Sequence, residues 1–154
     1  MSITTRRASL KDLDTLCEIE KECFTSEAFT REQIGYLLRT PTGVGLIAEM
    51  GHETVGFIIG LIREYGDARI GHICTLDVST KHRRRGVASR LLDDLERVFR
   101  ERGVQTSHLE VRVNNLAAQE LYRKHGYTDV GVLRNYYGGG IHGIQLKKNL
   151  TVQN

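Results

Sequence analysis

Apolar residues recur at helical spacing in two segments near the start of the chain. The motif Ser9–Asp12 is a capping box that opens the first helix, and Thr30–Gln33 is a second capping box. Pro41 and Gly43 end the second helix. The apolar stripes of these two helices are Leu10, Leu13, Leu16, Cys17 and Ile19, and Ile34, Leu37 and Leu38. The pattern therefore predicts two amphipathic helices before residue 44.

Strand-like runs surround these helices. Residues 2–7 are predicted to form a short first strand. Three further runs, rich in β-branched and aromatic residues, follow the second helix at about 44–50, 53–63 and 69–78. Turn residues at 50–52 and 65–67 separate them, so the three runs are expected to form an antiparallel meander.

Helices and strands alternate in the second half. A long amphipathic helix is predicted at about 86–102, and a strand at 105–113 is followed by a helix at 115–125. Gly103 and Gly126 stop the two helices. Two final strands are predicted near 127–134 and 141–148. The expected fold is α/β (α+β), with one mixed sheet of about seven strands flanked by about four helices.

Composition indicates one globular domain, which we assign to residues 1–150, with a tail at 151–154. The 154 residues suffice for a real core, and the net charge of +3 is mild. The longest apolar runs are too short to span a bilayer, and no secretory signal is evident. Three cysteines without a CxxC pair argue against a disulfide framework or a zinc site and favour a reducing cytoplasm.

A basic turn with small residues lies between the run ending at Val78 and the long helix. Arg83, Arg84 and Arg85 precede Gly86. The start of the long helix offers unpaired backbone amides and a partial positive charge, and the arginine guanidinium groups add further charged hydrogen-bond donors beside it. This combination suits a phosphate or pyrophosphate. The alternative is a surface patch that binds nucleic acid, because 81–85 is a run of five basic residues.

Three motifs in order resemble the GNAT family of N-acetyltransferases. Residues 83–88 are similar to its Arg/Gln-x-x-Gly-x-Gly/Ala signature, and Leu109–Tyr127 is similar to its LEVR-x-x-N-x-x-A-x-x-LY-x-x-x-GF segment. Arg134-Asn-Tyr-Tyr137 resembles the RimI-like and Ard1-like N-terminal acetyltransferases. One departure follows: residues 138–143 carry none of the acidic side chains expected there to hold a substrate ammonium or to order the loop.

The resemblance implies acetyl-CoA as cosubstrate and no metal. The pyrophosphate would be held by Arg83, Arg84, Arg85, Gly86, Val87, Ala88 and Ser89. The backbone of Leu76, Asp77 and Val78 would pair with the pantetheine amides; an ordinary buried strand is compatible with that role. Asn115 would contact the cofactor, or serve only as a helix N-cap.

The resemblance also implies the catalytic groups. Glu110 would be the general base, directly or through a water, and Tyr122 the general acid that protonates the thiolate and contacts the cofactor. Each residue has a simpler alternative. Glu110 can be a solvated partner of Arg112, and Tyr122 a packed core tyrosine.

Four residues are expected on the acceptor side. Tyr136, Tyr137 and Phe29 would line the amine groove, and His72 would assist proton transfer there. Their alternatives are a pair of tyrosines that anchors a turn and a structural histidine.

The expected acceptor is the α-amino group of a protein N-terminus, including that of a ribosomal protein. An α-amine has a pKa of about 8 and a lysine about 10.4, so a single modest base suits the former. A small amine, a polyamine or a lysine side chain is the rival acceptor, and a non-catalytic acyl-CoA-binding module is the rival class. No nucleic-acid or membrane partner is expected, and the chain is expected to be a monomer or a weak homodimer.

Overall fold

A computed structural model describes residues 2–151 and contains seven strands and four α-helices in that range. The elements are β1 (Ile3–Arg7), α1 (Leu13–Cys23), α2 (Arg31–Arg39), β2 (Gly43–Met50), β3 (Glu53–Tyr65), β4 (Ala68–Val78), α3 (Val87–Glu101), β5 (Thr106–Arg112), α4 (Leu116–Lys124), β6 (Thr128–Leu133) and β7 (Gly143–Asn149). The predicted tail at 151–154 lies beyond the described residues except for Thr151.

All seven strands belong to one mixed sheet in the order β1-β2-β3-β4-β5-β7-β6. Neighbouring strands are antiparallel except β4 and β5, which run parallel. The predicted meander is β2-β3-β4, and the predicted fold class is confirmed.

Each face of the sheet carries its own layer of helices and its own core. On one face, α3 contributes buried Val87, Leu91, Leu92, Leu95 and Phe99, and α4 contributes Ala118 and Tyr122. On the opposite face, Leu16 and Ile19 of α1 pack with Ile34 and Leu37 of α2 over Phe57 and Ile59. The helical stripes seen in the sequence thus pack against opposite faces, except for Leu10, which precedes α1 and is 48% exposed.

The strands β4 and β5 pair over only three residues. Ile70, Gly71 and His72 are the partners of Thr106, Ser107 and His108, and beyond this point the two strands separate. The gap between residues 73–78 of β4 and 109–112 of β5 is named the β4–β5 cleft. Its β4 side stays paired only with β3, so the β4 backbone is open to the cleft.

A β-bulge accompanies the separation. Ile59 and Gly60 of β3 are partners of Thr75 and Ile73, so Cys74 is the extra residue of β4. As a result Cys74 and Thr75 both face α1 and α2, whereas Gly71 and Ile73 face α3. The bulge bends β4 away from β5 and reverses the faces of the residues that follow.

The structure refines one predicted element. The capping box of Ser9 is present, but it caps a 3-10 turn at Leu10–Asp12, and α1 begins only at Leu13. The second capping box, Thr30 with Gln33, opens α2 as predicted. Among residues 2–151, no helix is long and apolar enough to cross a membrane.

Candidate active site

A cavity of about 720 Å³ opens where β4 and β5 separate. Eight residues singled out from the sequence line it: Phe29, His72, Leu76, Glu110, Asn115, Tyr122, Tyr136 and Tyr137. They come from five different parts of the chain, namely the α1–α2 loop, β4, β5, α4 with its N-cap, and the β6–β7 loop. The cavity therefore brings the residues expected to act in catalysis and on the acceptor side into one place.

Glu110 contacts His72 at the closed end of the β4–β5 cleft, where the two strands stop pairing. Its Oε1 lies 2.7 Å from His72 Nε2, and the two side chains are only 14% and 21% exposed. Arg112 pairs instead with Glu27, with Nη2 and Oε2 2.9 Å apart. The alternative in which Glu110 is a solvated partner of Arg112 is therefore wrong.

The Glu110–His72 contact favours the charged form of both groups. Burial disfavours the charge on His72, but its contacts with Cys74 and Glu110 prevail and raise its pKa to about 9. Burial likewise disfavours the charge on Glu110, yet the hydrogen bond from His72 prevails and lowers the pKa of the carboxyl. At neutral pH the pair is an imidazolium beside a carboxylate.

Tyr122 also lines the cavity, and its phenol is protonated at neutral pH. Burial raises the pKa of its phenol, and the nearby carboxyl of Asp77 adds to the shift. Its ring also packs edge-to-face against Tyr127. Tyr122 is thus a core residue that also lines the cavity. Asn115 caps α4 by accepting a hydrogen bond from the amide of Ala118 at 3.1 Å, so its side-chain oxygen already has a partner.

The β6–β7 loop brings the two tyrosines over the cavity. Tyr136 donates its hydroxyl to Glu110 Oε1 at 3.4 Å, and the rings of Tyr136 and Tyr137 pack edge-to-face. The loop is ordered without an acidic residue of its own. Asn135, at a positive φ of 53°, accepts a hydrogen bond from Gly140 N and donates its own N–H to His142 Nδ1. The carboxylate expected to order this loop is replaced by the Asn135 side chain.

Glu27 is a lining residue that the sequence patterns did not single out. It comes from the α1–α2 loop and pairs with Arg112, whose guanidinium lies 5.5 Å from the centre of the Tyr137 ring. The cavity lining therefore contains a carboxylate from this loop in addition to Glu110. No local motif marks this loop position, because the pairing depends on Arg112, which is 85 residues away in the sequence.

A buried acid cluster under the cavity was also missed. The Thr75 hydroxyl lies 3.0 Å from Glu20 Oε1 and 2.5 Å from Asp77 Oδ1, and Glu20 Oε2 accepts from the amide of Phe29. A hydroxyl has one hydrogen and can serve only one carboxylate. The second contact is satisfied when Asp77 itself carries a proton, in agreement with a pKa that burial and Glu20 raise to about 9.

This cluster predicts a specific effect of pH on stability. The unfolded pKa of an aspartate is about 3.9, so between about pH 4 and pH 9 the folded state keeps a proton that the unfolded state loses. The free energy of unfolding must fall as pH rises through that window. Asparagine does not ionise, so the unfolding free energy of Asp77→Asn should not fall with pH in this window. We expect this variant to be more stable than wild type by about 1–3 kcal/mol at about pH 8 and by less at about pH 5.

Urea unfolding at the two pH values measures the difference. Asp67→Asn is the matched control, because Asp67 is exposed in the β3–β4 turn. If the unfolding free energies of wild type and Asp77→Asn change in parallel with pH, the ionisation assigned to Asp77 is wrong.

The basic turn of residues 83–88 has the backbone of an anion site. Arg84 and Gly86 both have positive φ, 65° and 82°, and Gly86 is the N-cap of the 15-residue helix α3. Having no side chain, Gly86 leaves the first amides of α3 uncovered by a capping group. Arg83 folds back, and its Nε donates to the carbonyl of Val78 at 3.2 Å.

The turn is distinct from the cavity wall. Residues 83–89, all of them described, form no part of the lining. Ser89 on the first turn of α3 lies 3.1 Å from His125 Nε2 at the end of α4. The expected cofactor residues thus fall into two groups, one in the cleft and one at the start of α3.

Comparison with known proteins agrees with this geometry. The model of the acetyltransferase (GNAT) family matches residues 13–127. The chain therefore belongs to the GNAT family of acetyltransferases and is an N-acetyltransferase. The resemblance drawn from residues 83–88 and 109–127 is confirmed at the level of the family.

Individual relatives cover almost the whole chain. An uncharacterised N-acetyltransferase of Methanocaldococcus jannaschii is 35% identical over 144 residues, covering 93% of this chain and 89% of that protein. An N-alpha-acetyltransferase of Sulfurisphaera tokodaii is 30% identical over 145 residues, covering 88% and 86%. The crystal structure of Arabidopsis thaliana NAA60 in complex with acetyl-CoA superposes with a TM-score of 0.87 at 21% identity, covering 98% of this chain and 100% of that one. At this identity the superposition supports the fold.

Proposed function

We propose that the protein transfers an acetyl group from acetyl-CoA to the α-amino group of protein N-termini, with residues 1–150 as a single catalytic domain. The observation that carries the proposal is the shared cavity in which the Glu110–His72 pair, Tyr122 and the two tyrosines of the β6–β7 loop meet at the β4–β5 cleft. The 30% identity to an N-alpha-acetyltransferase supports it. The proposed compartment is the cytoplasm, in keeping with the cysteine pattern.

The cleft and the basic turn suit the two ends of acetyl-CoA. Leu76, Asp77 and Val78 pair with β3 on one side, so the other backbone edge can bond the pantetheine amides as an added strand, provided that Arg83 and Cys23 release the carbonyl of Val78. The pyrophosphate would bind the amides of residues 84–89 at the positive end of α3, with Arg84 and Arg85 beside it. The acetyl group would then lie in the cavity between Glu110 and Tyr122.

The reaction needs one proton acceptor and one proton donor. The amine nitrogen attacks the thioester carbonyl, the new C–N bond forms, and the C–S bond breaks. Glu110 takes the amine proton, directly or through a water, and Tyr122 protonates the departing thiolate. His72 fixes the carboxylate of Glu110 through the 2.7 Å contact.

The electrostatics of Glu110 favour an α-amine over a lysine. A carboxylate whose pKa is lowered is a weak base and works best with an amine that releases its proton readily. The pKa of an α-ammonium is about 8 and that of lysine about 10.4, a difference worth about 3 kcal/mol. Tyr136 and Tyr137 over the cavity provide an apolar wall for the first residues of a peptide.

A panel of amines tests the proposal. Peptides with varied first residues and a free α-amine are compared with the same peptides carrying a blocked N-terminus and one internal lysine, and with spermidine. Acetyl transfer is followed by mass spectrometry. We expect transfer to the free α-amine of a subset of peptides, with little on the internal lysine.

Two results would refute the proposal. Transfer confined to spermidine or lysine would replace the acceptor, and binding of CoA without transfer to any amine would make the protein a binding module. Affinity for DNA that falls steeply with salt and is unaffected by CoA would instead assign the basic turn to nucleic acid.

Gly86 gives a direct test of the pyrophosphate site. A Cβ on Gly86 would meet no atom within 4 Å, so alanine there adds only the strain of a positive φ, about 1–2 kcal/mol. If the backbone of residue 86 relaxes to remove this strain, the first amides of α3 would no longer point toward the bound pyrophosphate. We expect Gly86→Ala to weaken binding of CoA about tenfold in isothermal titration calorimetry.

Gly131 is the matched control, because a Cβ there also meets no atom within 4 Å and its φ is not in the left-handed region. Gly131→Ala should bind CoA as wild type does. Equal affinity of all three proteins would show that the backbone of residue 86 does not shape the pyrophosphate site.

A further inference from the structure

The Glu110–His72 pair and the neighbouring His108 together form a set of three metal-ligating side chains. His72 and His108 are paired residues of the parallel β4–β5 ladder, and their rings stack with centroids 4.7 Å apart and planes 10° apart. Glu110 follows two residues after His108 on the same face of β5. These three residues, named the His–His–Glu cluster, are thus held on two adjacent strands at the closed end of the cleft.

The spacing of the donor atoms suits a metal ion. One ligand atom from each residue, an imidazole nitrogen or a carboxylate oxygen, lies within 4.8 Å of the other two. Zinc binds such atoms at about 2.0–2.2 Å, which places the ligands of a tetrahedral site roughly 3.4 Å apart. The stacked rings must tilt for their nitrogens to face one ion.

The cluster is half-buried, and His72 and Glu110 line the cavity. A bound ion would therefore keep an open position toward water or the acceptor amine, as in sites with three protein ligands. Two imidazoles with one carboxylate favour zinc and its transition-metal neighbours, whereas magnesium and calcium require oxygen ligands.

We propose that His72, His108 and Glu110 bind one Zn²⁺ ion, which inhibits acetyl transfer reversibly. The inhibitory role rests on the proposed function, because the ion would displace the proton of His72 and bind the carboxylate of Glu110, which is the proposed proton acceptor. The binding site itself does not depend on it. His108 takes no part in the proposed reaction, so it separates metal binding from catalysis.

Calorimetry on the full-length, tag-free protein after removal of metal tests the site. Wild type is expected to bind one Zn²⁺ per chain and no Mg²⁺. His108→Gln should bind Zn²⁺ at least about tenfold more weakly, since it lacks one of three ligands. His52→Gln, which changes an exposed histidine in the β2–β3 turn, should bind as wild type does.

Acetylation assays then test the inhibitory role. Zn²⁺ should inhibit wild type over the same concentration range in which it binds, and EDTA should restore the rate. His108→Gln should remain active and require at least about tenfold more Zn²⁺ for inhibition. Unchanged rates of wild type at saturating Zn²⁺ would overturn the inhibitory role.

Separate results distinguish the two proposals. Absence of stoichiometric Zn²⁺ binding to wild type, or equal binding by His108→Gln, overturns the metal site whatever the activity. Stoichiometric binding by a protein that acetylates no amine upholds the site and refutes the proposed function. If His108→Gln does not fold by circular dichroism, the visible spectrum of wild type with Co²⁺ decides. Intense tetrahedral bands support the site, and their absence overturns it.

Discussion

Glu110→Gln is expected to lower kcat for N-terminal acetylation about 10²- to 10⁴-fold. Glutamine keeps the shape of the side chain and its contact with His72 but cannot accept a proton. Because Glu110 lies on the acceptor side of the cavity, binding of CoA should stay within about twofold of wild type. Steady-state kinetics with the best peptide, together with calorimetric titration of CoA, give the two quantities.

Glu120→Gln is the control for this substitution, because Glu120 is exposed on α4. Its kcat should equal that of wild type. A kcat of Glu110→Gln within about threefold of wild type would exclude Glu110 as the proton acceptor, since loss of a general base costs far more. Retained CoA binding in the same variant excludes misfolding as the cause of a lower rate.

Phe99 is expected to be the most costly truncation in the core of α3. Its ring is fully buried and lies directly over two glycines: a Cβ on Gly71 would be 2.4 Å from Cε2, and one on Gly60 would be 2.6 Å from Cζ. Phe99→Ala should reduce the free energy of unfolding by about 3–5 kcal/mol. Gly71→Ala should reduce it by about 1–3 kcal/mol, because the new methyl group overlaps the ring.

The double variant Phe99→Ala/Gly71→Ala distinguishes the contact between the Phe99 ring and Gly71 from unrelated destabilisation of the core. Once the ring is removed, the methyl of Gly71→Ala occupies part of the cavity, so the combined loss should be smaller than the sum by about 0.5–3 kcal/mol. Phe99→Ala combined with Gly131→Ala should be additive, because Gly131 contacts nothing on its Cβ side. Additive losses for the Gly71 pair, measured by urea unfolding, would contradict the proposed contact.

The sequence patterns predicted the elements well because most of them are amphipathic. In α3 the residues Val87, Leu91 and Leu95 recur at helical spacing and are buried, and Gly103 and Gly126, both with positive φ, follow the ends of α3 and α4. The α4 cap at Asn115 was equally visible. Local signals of this kind arise from the backbone hydrogen bonds of one element, so they can be recognised without the fold.

The interior of the site could not be predicted, because it depends on the Cys74 bulge. Simple alternation along β4 would put Thr75 on the same face as Gly71 and Ile73, which pack under α3. The bulge turns Thr75 toward Glu20 of α1 instead. A bulge in an otherwise even run of strand formers leaves no mark in the periodicity.

The sequence does contain one signal for the buried carboxyl group of Glu20. Glu20 falls four residues after Leu16 and one after Ile19, on the apolar side of α1, where an acid must find a partner when buried. The partner, by contrast, lies 55 residues away at Thr75. The Glu110–His72 and Glu27–Arg112 pairs are also long-range, so only the sheet topology could reveal them.

The short β4–β5 ladder also has a mechanical consequence. Backbone bonds hold β1–β4 together as one stiff plate and β5–β7 as another, and three residue pairs join the plates. Side-chain contacts join them as well, among them the 2.7 Å contact of His72 in β4 with Glu110 in β5 and the 2.8 Å ion pair of Lys148 in β7 with Glu96 in α3. Bending about this pivot changes the width of the cleft without breaking a hydrogen bond within either plate. We therefore expect the cleft to change width more easily than either plate bends, and a rigid cross-link between the plates would fix that width.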